Sequence, residues 1–281
     1  LLSDVIEEEL PNNPVVILSG PSHAEEVALG VPTSLVAACA DKAVAQYVQD
    51  ELISPTLRVY IHDDVIGVEI GGALKNVIAL CCGICDGMQL GDNTKAALIT
   101  RGMAEIVRLG VAMGCQEHTF YGLAGIGDLI VTATSVHSRN NRCGMLIGQG
   151  VKPSEAVKQV GMVVEGVNAL PAAMRLIEKY HVEMPITAMV NAIVNEQIDP
   201  RNAIGALMSR DKKNEMNDGR NYYVCSCVGF APADDPEIAV CVYGERVAHG
   251  STLAEVAEAV LRIYFDLGDA GDTSAYENKL S

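Results

Sequence analysis

The sequence has few positive charges for its length. Lys and Arg total 20 against 36 Asp and Glu, which gives a formal net charge of −16. Nucleic acids and anionic membrane surfaces attract proteins through lysine and arginine. The deficit therefore predicts that the chain binds neither nucleic acid nor an acidic membrane surface.

Long uncharged apolar runs and a basic leader are also missing. No uncharged run approaches the roughly 18–20 residues that a membrane-spanning helix needs. The first ten residues, LLSDVIEEEL, lack the basic segment of a secretory signal and have the pattern of an amphipathic helix. We therefore expect no membrane span and a cytoplasmic location.

The nine cysteines form no recognisable metal or disulfide pattern. Cys81, Cys82 and Cys85 include one C-x-x-C pair, but there is neither a second pair nor a nearby histidine at ligand spacing. Most of the cysteines lie among Ala, Val, Ile and Leu, where a free thiol packs as a small apolar group. We expect packing thiols in a reducing cytoplasm and no metal.

Composition changes near Met216. Residues 217–281 hold 11 acidic and 4 basic side chains, and seven of the chain's 12 aromatic residues. The polar stretch SRDKKNEMNDGRN, residues 209–221, has the composition of a linker. These shifts predict a boundary, with residues 216–281 forming a linker and a separate tail.

Strands and helices alternate over residues 1–63. Apolar runs at 14–18, 33–38 and 57–61 predict strands, and the segments 22–29 and 43–52 predict helices between them. This alternation is typical of an α/β layer. We expect an exposed apolar edge at strand 14–18 or 33–38, which favours self-association, in the simplest case as a homodimer.

From residue 64 to about 215 the apolar period becomes helical, which predicts an all-α domain. The expected helices lie at residues 69–88, 94–113, 153–159, 165–180, 185–195 and 200–208.

Lys75 is the one charged residue between Ile70 and Cys85. Burying an unpaired ammonium group costs on the order of several kcal/mol, so such a lysine needs a partner or a chemical role. Its pKa moves readily on burial, which suits it to proton transfer. The alternative is a lysine that extends its ammonium group to water from the end of a helix.

Two further segments have residues suited to chemistry. In GLAGIGDLIVT, Asp128 and Thr132 are one helical turn apart and can face one cleft, although Asp128 can also be a simple helix cap. Residues 138–142, SRNNR, combine a hydroxyl, two guanidinium groups and two amides. Such a set can surround a phosphate, and it can equally form a solvated polar loop.

Several strings together resemble a known family. LSGPSHAEEVALGVPTSLV, DVIGVEIGGALKNVIAL, GDNTKAALITRGMAEIVRLG, FYGLAGIGDLIVT, HSRNNRCG, VVEGV and LMSRDKKNE are similar, in this order, to the bacterial type of NAD(P)-dependent glycerol-3-phosphate dehydrogenase. The resemblance spans residues 1–215. It implies a Rossmann-type layer at residues 1–63, an all-α substrate domain at 64–215, and interconversion of dihydroxyacetone phosphate and sn-glycerol 3-phosphate for phospholipid synthesis.

The resemblance also implies roles for individual residues. Lys75 would exchange the proton at the substrate C2 oxygen, with Asp128 holding its ammonium group. Contacts with the phosphorylated substrate would come from Gly20, Ser22, Ser138, Arg139 and Asn140 together with the catalytic pair. Contacts with NAD or NADP would come from Ala24, Arg139, Val163 and Glu165.

The chain departs from the family pattern at both ends. The family's glycine-rich dinucleotide loop and a second active-site lysine precede the part that Leu1 begins, so we expect this chain alone not to turn over substrate. Beyond Met216, the segments YYVCSCVGFAPADDPEIAVCVY and HGSTLAEVAEAVLR resemble the last strands and helix of a penicillin-binding transpeptidase, which implies a short α+β tail. The transpeptidase motifs S-x-x-K, S-x-N and K-T-G are absent. An inactive phosphate-binding remnant and a fusion of two partial genes remain alternatives.

Overall fold

A computed structural model describes residues 1–135, 137–208, 223–231 and 238–247. Side chains are described only up to residue 207. The chain divides into two units, Leu1–Arg210 and Asp211–Ser281.

The first unit begins with a small mixed sheet. Its strands, in the order β1-β2-β3, are Ile17–Ser19 (β1), Thr33–Ala38 (β2) and Leu57–His62 (β3). Strands β2 and β3 are parallel and β1 is antiparallel to β2. The predicted α/β layer is therefore confirmed, with β1 at an edge. The alternative that 33–38 forms an edge is wrong, because β2 lies between the other two strands.

Three short helices accompany the sheet: Leu2–Glu9 (α1), Ala24–Ala28 (α2) and Lys42–Leu52 (α3). Helix α3 connects the parallel strands as a β-α-β unit, and Asp41 caps it by accepting hydrogen bonds from the backbone of Ala43 and Val44. Helix α1 is held by Glu69, which accepts hydrogen bonds from the backbone N–H groups of Leu2 and Ser3 and from the Ser3 hydroxyl. A carboxylate at a helix N-terminus satisfies otherwise unpaired N–H groups there.

Helix α4, Val65–Gly87, forms the centre of the fold. The main hydrophobic core is built around it, with Val77, Leu80 and Cys82 fully buried. Among the described residues it is the one helix long and apolar enough to span a membrane, and 67% of its apolar window is buried in the protein. Glu69, Lys75 and Asp86 interrupt this helix, so its uncharged runs are shorter than a membrane span needs, and the expected absence of a span stays a prediction.

The rest of the first unit is helical, as expected for residues 64–215. A 3-10 helix at Glu117–Tyr121 and a π-helix at Leu123–Gly127 connect the first two of the remaining helices. These helices are Gly91–Ala112 (α5), Asp128–Thr134 (α6), Arg139–Gly148 (α7), Pro153–Val160 (α8), Glu165–Tyr180 (α9), Pro185–Val194 (α10) and Pro200–Met208 (α11).

Helices α4 and α7 approach each other closely along glycines. A Cβ atom on Gly83 would overlap the backbone of Asn141, and one on Gly144 would overlap the backbone of Leu80. Neither position can take a side chain without separating the helices. This contact places the N-terminus of α7 beside the middle of α4.

The described cysteines are packing thiols, as the sequence predicts. Cys39, Cys81, Cys82, Cys85, Cys115 and Cys143 are all free and buried. Burial raises the pKa of the Cys82 thiol to about 12, so this thiol stays protonated and unreactive at neutral pH.

In the second unit the described residues form an antiparallel pair of strands, Tyr223–Ala231 (β4) and Ile238–Val247 (β5). The predicted linker at 209–221 and the predicted tail helix lie outside the described residues.

Glu105 of α5 is a buried carboxylate that joins α5 to α10. Its side-chain oxygens accept hydrogen bonds from the backbone N–H groups of Ile186 and Thr187, at 2.6 and 3.0 Å, and from the Thr187 hydroxyl, at 2.9 Å. Desolvation raises the pKa of this carboxyl, and the three hydrogen bonds oppose that effect. Glu105 thus supplies the acceptors that the first turn of α10 requires.

We predict that Glu105→Ala lowers the free energy of unfolding by about 1–3 kcal/mol, the usual cost of leaving buried donors unpaired. Urea unfolding followed by circular dichroism measures the change. Glu155→Ala is the control, because Glu155 forms only an exposed contact with Lys158 at 3.9 Å, and we expect a change within about 0.5 kcal/mol. Equal losses in the two variants would contradict the role of Glu105.

Candidate active site

Lys75 and Asp128 form a buried ion pair. Lys75 Nζ lies 2.5 Å from Asp128 Oδ1, and the two side chains are 18% and 5% exposed. Lys75 comes from the middle of α4 and Asp128 from the first turn of α6. The lone lysine of the apolar run therefore has the partner that its burial requires, and the alternative of an ammonium group extended into water is wrong.

The SGPS turn after β1 closes one side of this pair. The backbone N–H of Gly20 lies close enough to the Asp128 carboxylate to lower its pKa. Gly20 has φ of 142° and lies against Leu35, so a side chain there is strained and crowded. The Ser19 hydroxyl lies against Gly72, one turn before Lys75 on α4. The α/β layer thus contacts the catalytic candidate through the backbone of this turn.

The Asp128 carboxylate is held by several donors in a desolvated position. Besides Lys75 and Gly20, the Thr132 hydroxyl lies 3.3 Å from Asp128 Oδ1. Burial raises the pKa of the Asp128 carboxyl above its usual range, and the neighbouring Lys75 ammonium, Thr132 and Gly20 only partly offset this effect. A carboxylate in this position fixes the lysine ammonium group within a pocket of low water content.

The SRNNR segment forms the start of helix α7. Ser138 is the N-cap, and its hydroxyl oxygen accepts a hydrogen bond from the backbone of Asn141 at 3.2 Å. Asn141 is itself fixed by bonds from its side-chain amide to Asp86 and to the Ala133 carbonyl, both 3.0 Å. The reading of this segment as a solvated loop is therefore wrong. An ordered helix N-terminus with an adjacent guanidinium group is suited to an anion.

A chain of side-chain amides connects α7, α4 and α9. The Asn140 amide donates to Asn76 Oδ1 at 2.9 Å and accepts from the backbone of Gly166 at 2.8 Å. The Asn76 amide donates in turn to Glu165 Oε2 at 3.1 Å. Since Asn76 follows Lys75, this chain links the lysine's helix to the start of α9.

Arg139 and Glu165 are the charged groups at the outer end of that chain. Arg139 NH2 lies 3.6 Å from Glu165 Oε1. Both side chains are partly open to solvent, so the guanidinium group is accessible to a ligand. Arg139 and Asn140, at the start of α7, thus lie beside Glu165, which comes from the start of α9.

Three residues that the sequence predicts to contact substrate or cofactor are not hydrogen-bonded to the ion pair or to the amide chain. The Ser22 hydroxyl donates only to the Gly20 carbonyl of its own turn, at 3.1 Å. Ala24 begins α2 and is exposed, and Val163, just before α9, is 58% exposed. Their predicted contacts with substrate and cofactor remain predictions.

The sequence reasoning missed Asn76 as a site residue. It is buried at the centre of the amide chain. The sequence did contain a signal for Asn76: it is a polar amide next to the lone lysine in an otherwise apolar run, and a buried amide needs hydrogen-bond partners. Among the described residues no group of three or more His, Cys, Asp or Glu side chains is arranged to hold a metal ion.

Family models match most of the first unit. The model for the C-terminus of NAD-dependent glycerol-3-phosphate dehydrogenase matches residues 64–205, and the model for its N-terminus matches residues 1–45. The chain belongs to the NAD-dependent glycerol-3-phosphate dehydrogenase family. Every residue of the ion pair and of the amide chain lies within these two matches.

Relatives and solved structures agree with this assignment. Glycerol-3-phosphate dehydrogenase [NAD(P)+] of Clostridium perfringens is 58% identical over 214 residues, which are 76% of this chain and 65% of that protein. The crystal structure of glycerol-3-phosphate dehydrogenase from Coxiella burnetii is 41% identical, with a TM-score of 0.72, over 75% of this chain and 65% of that chain. The yeast Saccharomyces cerevisiae enzyme structure is 29% identical, with a TM-score of 0.66, over 73% and 62%. The chain thus spans about 65% of the length of the curated relatives it matches.

The raised pKa of Asp128 predicts a pH dependence of stability. The pKa of Asp128 is higher in the folded state than in the unfolded state. At pH values between these two pKa values, only the folded state binds the proton. The contribution of Asp128 to the free energy of unfolding is therefore fully present below about pH 4 and declines as pH rises through the folded pKa. The slope is about 1.4 kcal/mol per pH unit while only the folded form is protonated.

We expect Asp128→Asn to remove this slope. Urea unfolding of both proteins at several values between pH 4 and pH 7 tests this, with the difference between the two curves as the measured quantity, since the contribution of Glu105 is common to both. A difference that does not change with pH would show that the carboxyl titrates normally.

Proposed function

We propose that this chain provides the substrate-binding and proton-transfer part of a glycerol-3-phosphate dehydrogenase, which interconverts sn-glycerol 3-phosphate and dihydroxyacetone phosphate with NAD or NADP. The observation that carries the proposal is the buried ion pair of Lys75 and Asp128, whose helix α4 is linked through Asn76 and Asn140 to the ordered N-terminus of α7. The reaction supplies sn-glycerol 3-phosphate for glycerophospholipid synthesis.

Lys75 is the proposed proton donor and acceptor. As an ammonium group it donates a hydrogen bond to the C2 ketone oxygen of dihydroxyacetone phosphate and transfers a proton to it as hydride reaches C2. In the reverse direction the neutral amine accepts the hydroxyl proton. Asp128 does not exchange protons with the substrate in this scheme. It orients the ammonium group and stabilises its charge.

The N-terminus of α7 is the proposed phosphate site. Arg139 offers a guanidinium fork that can bind two phosphate oxygens, and the first backbone N–H groups of α7 add partial positive charge. Ser138 contributes a hydroxyl at the same end. The Asn140 amide is largely engaged by Asn76 and Gly166, so its proposed contact relies on one remaining N–H.

The cofactor contacts are proposed for Ala24, Arg139, Val163 and Glu165. These residues fit the edge of a dinucleotide site, since the exposed side chain of Val163 offers apolar surface beside the charged pair of Arg139 and Glu165. NAD(P)H supplies the hydride when bound. The residues of this chain then position the phosphorylated substrate and manage its proton.

An inactive phosphate-binding remnant is the second candidate. It requires the anion site but gives Lys75 no part in ketone recognition, so the two candidates differ in what Lys75 contacts.

For residues 217–281 we propose a relationship to the end of a transpeptidase domain, supported by the antiparallel strands β4 and β5 where strands were expected. We propose no activity for them, because the nucleophile motifs are missing.

We predict that Lys75→Met weakens binding of dihydroxyacetone phosphate by about 10- to 100-fold, the range for one charge-assisted hydrogen bond, and changes binding of inorganic phosphate far less. Isothermal titration calorimetry of the 281-residue chain measures both affinities. Lys95→Met is a matched control, because Lys95 pairs with Asp86 at 2.6 Å and is 21% exposed. Equal effects of Lys75→Met on both ligands would favour the remnant.

We predict that inorganic phosphate raises the melting temperature of the chain through binding to the folded state. Arg139→Lys should remove most of this rise, because a single ammonium group cannot reproduce a bidentate fork. Differential scanning fluorimetry across a phosphate series tests it, with chloride at equal ionic strength as the reference. An unchanged phosphate response in the variant would exclude Arg139 as the anchor.

A further inference from the structure

Glu165 divides its two carboxylate oxygens between two partners. Oε2 accepts a hydrogen bond from the Asn76 amide at 3.1 Å, and Oε1 faces Arg139 NH2 at 3.6 Å. Asn76 is 5% exposed and is itself fixed by Asn140 at 2.9 Å. The bond from Asn76 therefore fixes one oxygen of the Glu165 carboxylate.

Arg139 is the movable partner of this pair. Its side chain is 37% exposed and that of Glu165 is 53% exposed, so water competes for both charges. A separation of 3.6 Å through one nitrogen is longer than the 2.7–2.9 Å of a bidentate guanidinium–carboxylate contact. Such a half-exposed single contact is weak and exchanges easily for a better acceptor.

The position of the carboxylate also matters once a ligand arrives. A phosphate that binds Arg139 through both fork nitrogens brings about two negative charges next to Glu165. Because the bond from Asn76 holds the carboxylate in place, it cannot move far from the incoming anion. Glu165 thus opposes phosphate binding twice, by occupying Arg139 beforehand and by repelling the bound anion afterwards.

We propose that Glu165 is a placeholder for the substrate phosphate on Arg139 and thereby sets the affinity of the site for phosphate esters. This inference rests on the proposed function, since it requires Arg139 to be the phosphate anchor. Glu165 is then a positioning residue, because its carboxylate orients the guanidinium group of Arg139 before a ligand binds. Only a ligand with strong, paired acceptors displaces this carboxylate.

Glu165→Gln is the informative variant. The glutamine oxygen can still accept the hydrogen bond from Asn76, so the amide chain is preserved while the negative charge is removed. We expect affinity for inorganic phosphate and for sn-glycerol 3-phosphate to rise about two- to fivefold, the size expected for releasing one half-exposed ion pair. Calorimetric titration of the 281-residue chain at two ionic strengths measures it, and the gain should shrink at the higher salt concentration.

Glu155→Gln is the matched control. Its side chain is also 53% exposed and also pairs with a cation, Lys158 of α8, so it changes the net charge of the protein by the same amount. We expect no change in phosphate affinity. A second test places Glu165→Gln in an Arg139→Gln background, where the gain should vanish because the two residues act through one contact.

The outcomes separate this inference from the proposed function. If the wild type binds phosphate through Arg139 but Glu165→Gln binds phosphate equally or more weakly, Glu165 is not a placeholder. The proposed phosphate site at Arg139 is then unaffected. If Glu155→Gln gives the same gain, the effect is one of net charge, which also overturns the placeholder. If Arg139→Lys leaves phosphate binding unchanged, the proposed phosphate site itself fails.

Discussion

The ion pair between Lys75 and Asp128 is the interaction on which the arrangement of the first unit depends. A lysine in the middle of the most buried helix is tolerable only with a fixed counter-charge, because an unpaired ammonium group there costs on the order of several kcal/mol. Asp128 provides that charge from the start of α6, and the Gly20 backbone supports Asp128 from the SGPS turn. This contact thus brings together helix α4, the SGPS turn and the start of α6, which follows the π-helix at Leu123–Gly127. The polar centre is costly for stability, since burial raises the pKa of Asp128, which is consistent with a role in chemistry rather than in folding.

A second constraint is the close packing of α4 and α7. Glycines at 83 and 144 let the two backbones touch, which no pair of larger residues would allow. The N-terminus of α7 consequently lies where the Asn140 amide reaches Asn76, one residue after Lys75. The proposed proton transfer and phosphate binding would need a fixed separation, because in the proposed substrate the reacting carbon and the phosphate belong to one small molecule. Rigid helix packing sets this separation more reliably than a loop would.

The sequence predicted elements that have a strong periodic pattern and clear boundaries. The strand Thr33–Ala38 and the helix Glu165–Tyr180 were predicted with the observed ends. Helix α7 was missed because SRNNR is polar at its start and the apolar stripe begins only after Asn141. The antiparallel direction of β1 leaves no trace in its composition, and the amide chain depends on contacts between residues 64 to 89 positions apart. Lys75, Asp128 and Arg139 were predicted as site residues from their chemistry and from family motifs, whereas the hydrogen-bond partners of Asn76 needed the three-dimensional contacts.

The charge distribution is compatible with the proposed anionic substrate, although the chain is acidic. With a net charge of −16 the protein repels anions at long range, but such repulsion is screened within about 8–10 Å at ordinary salt. At short range the proposed site offers Lys75, Arg139 and the N-terminus of α7 as three sources of positive potential. Each is individually restrained by a carboxylate or by a capping hydroxyl, so the site is not a bare cationic patch. Under the proposals above, affinity is decided by replacing existing partners, as at Arg139, and a ligand must offer acceptors at two fixed points. That requirement favours a small molecule with a phosphate at one end and a carbonyl or hydroxyl oxygen near the other.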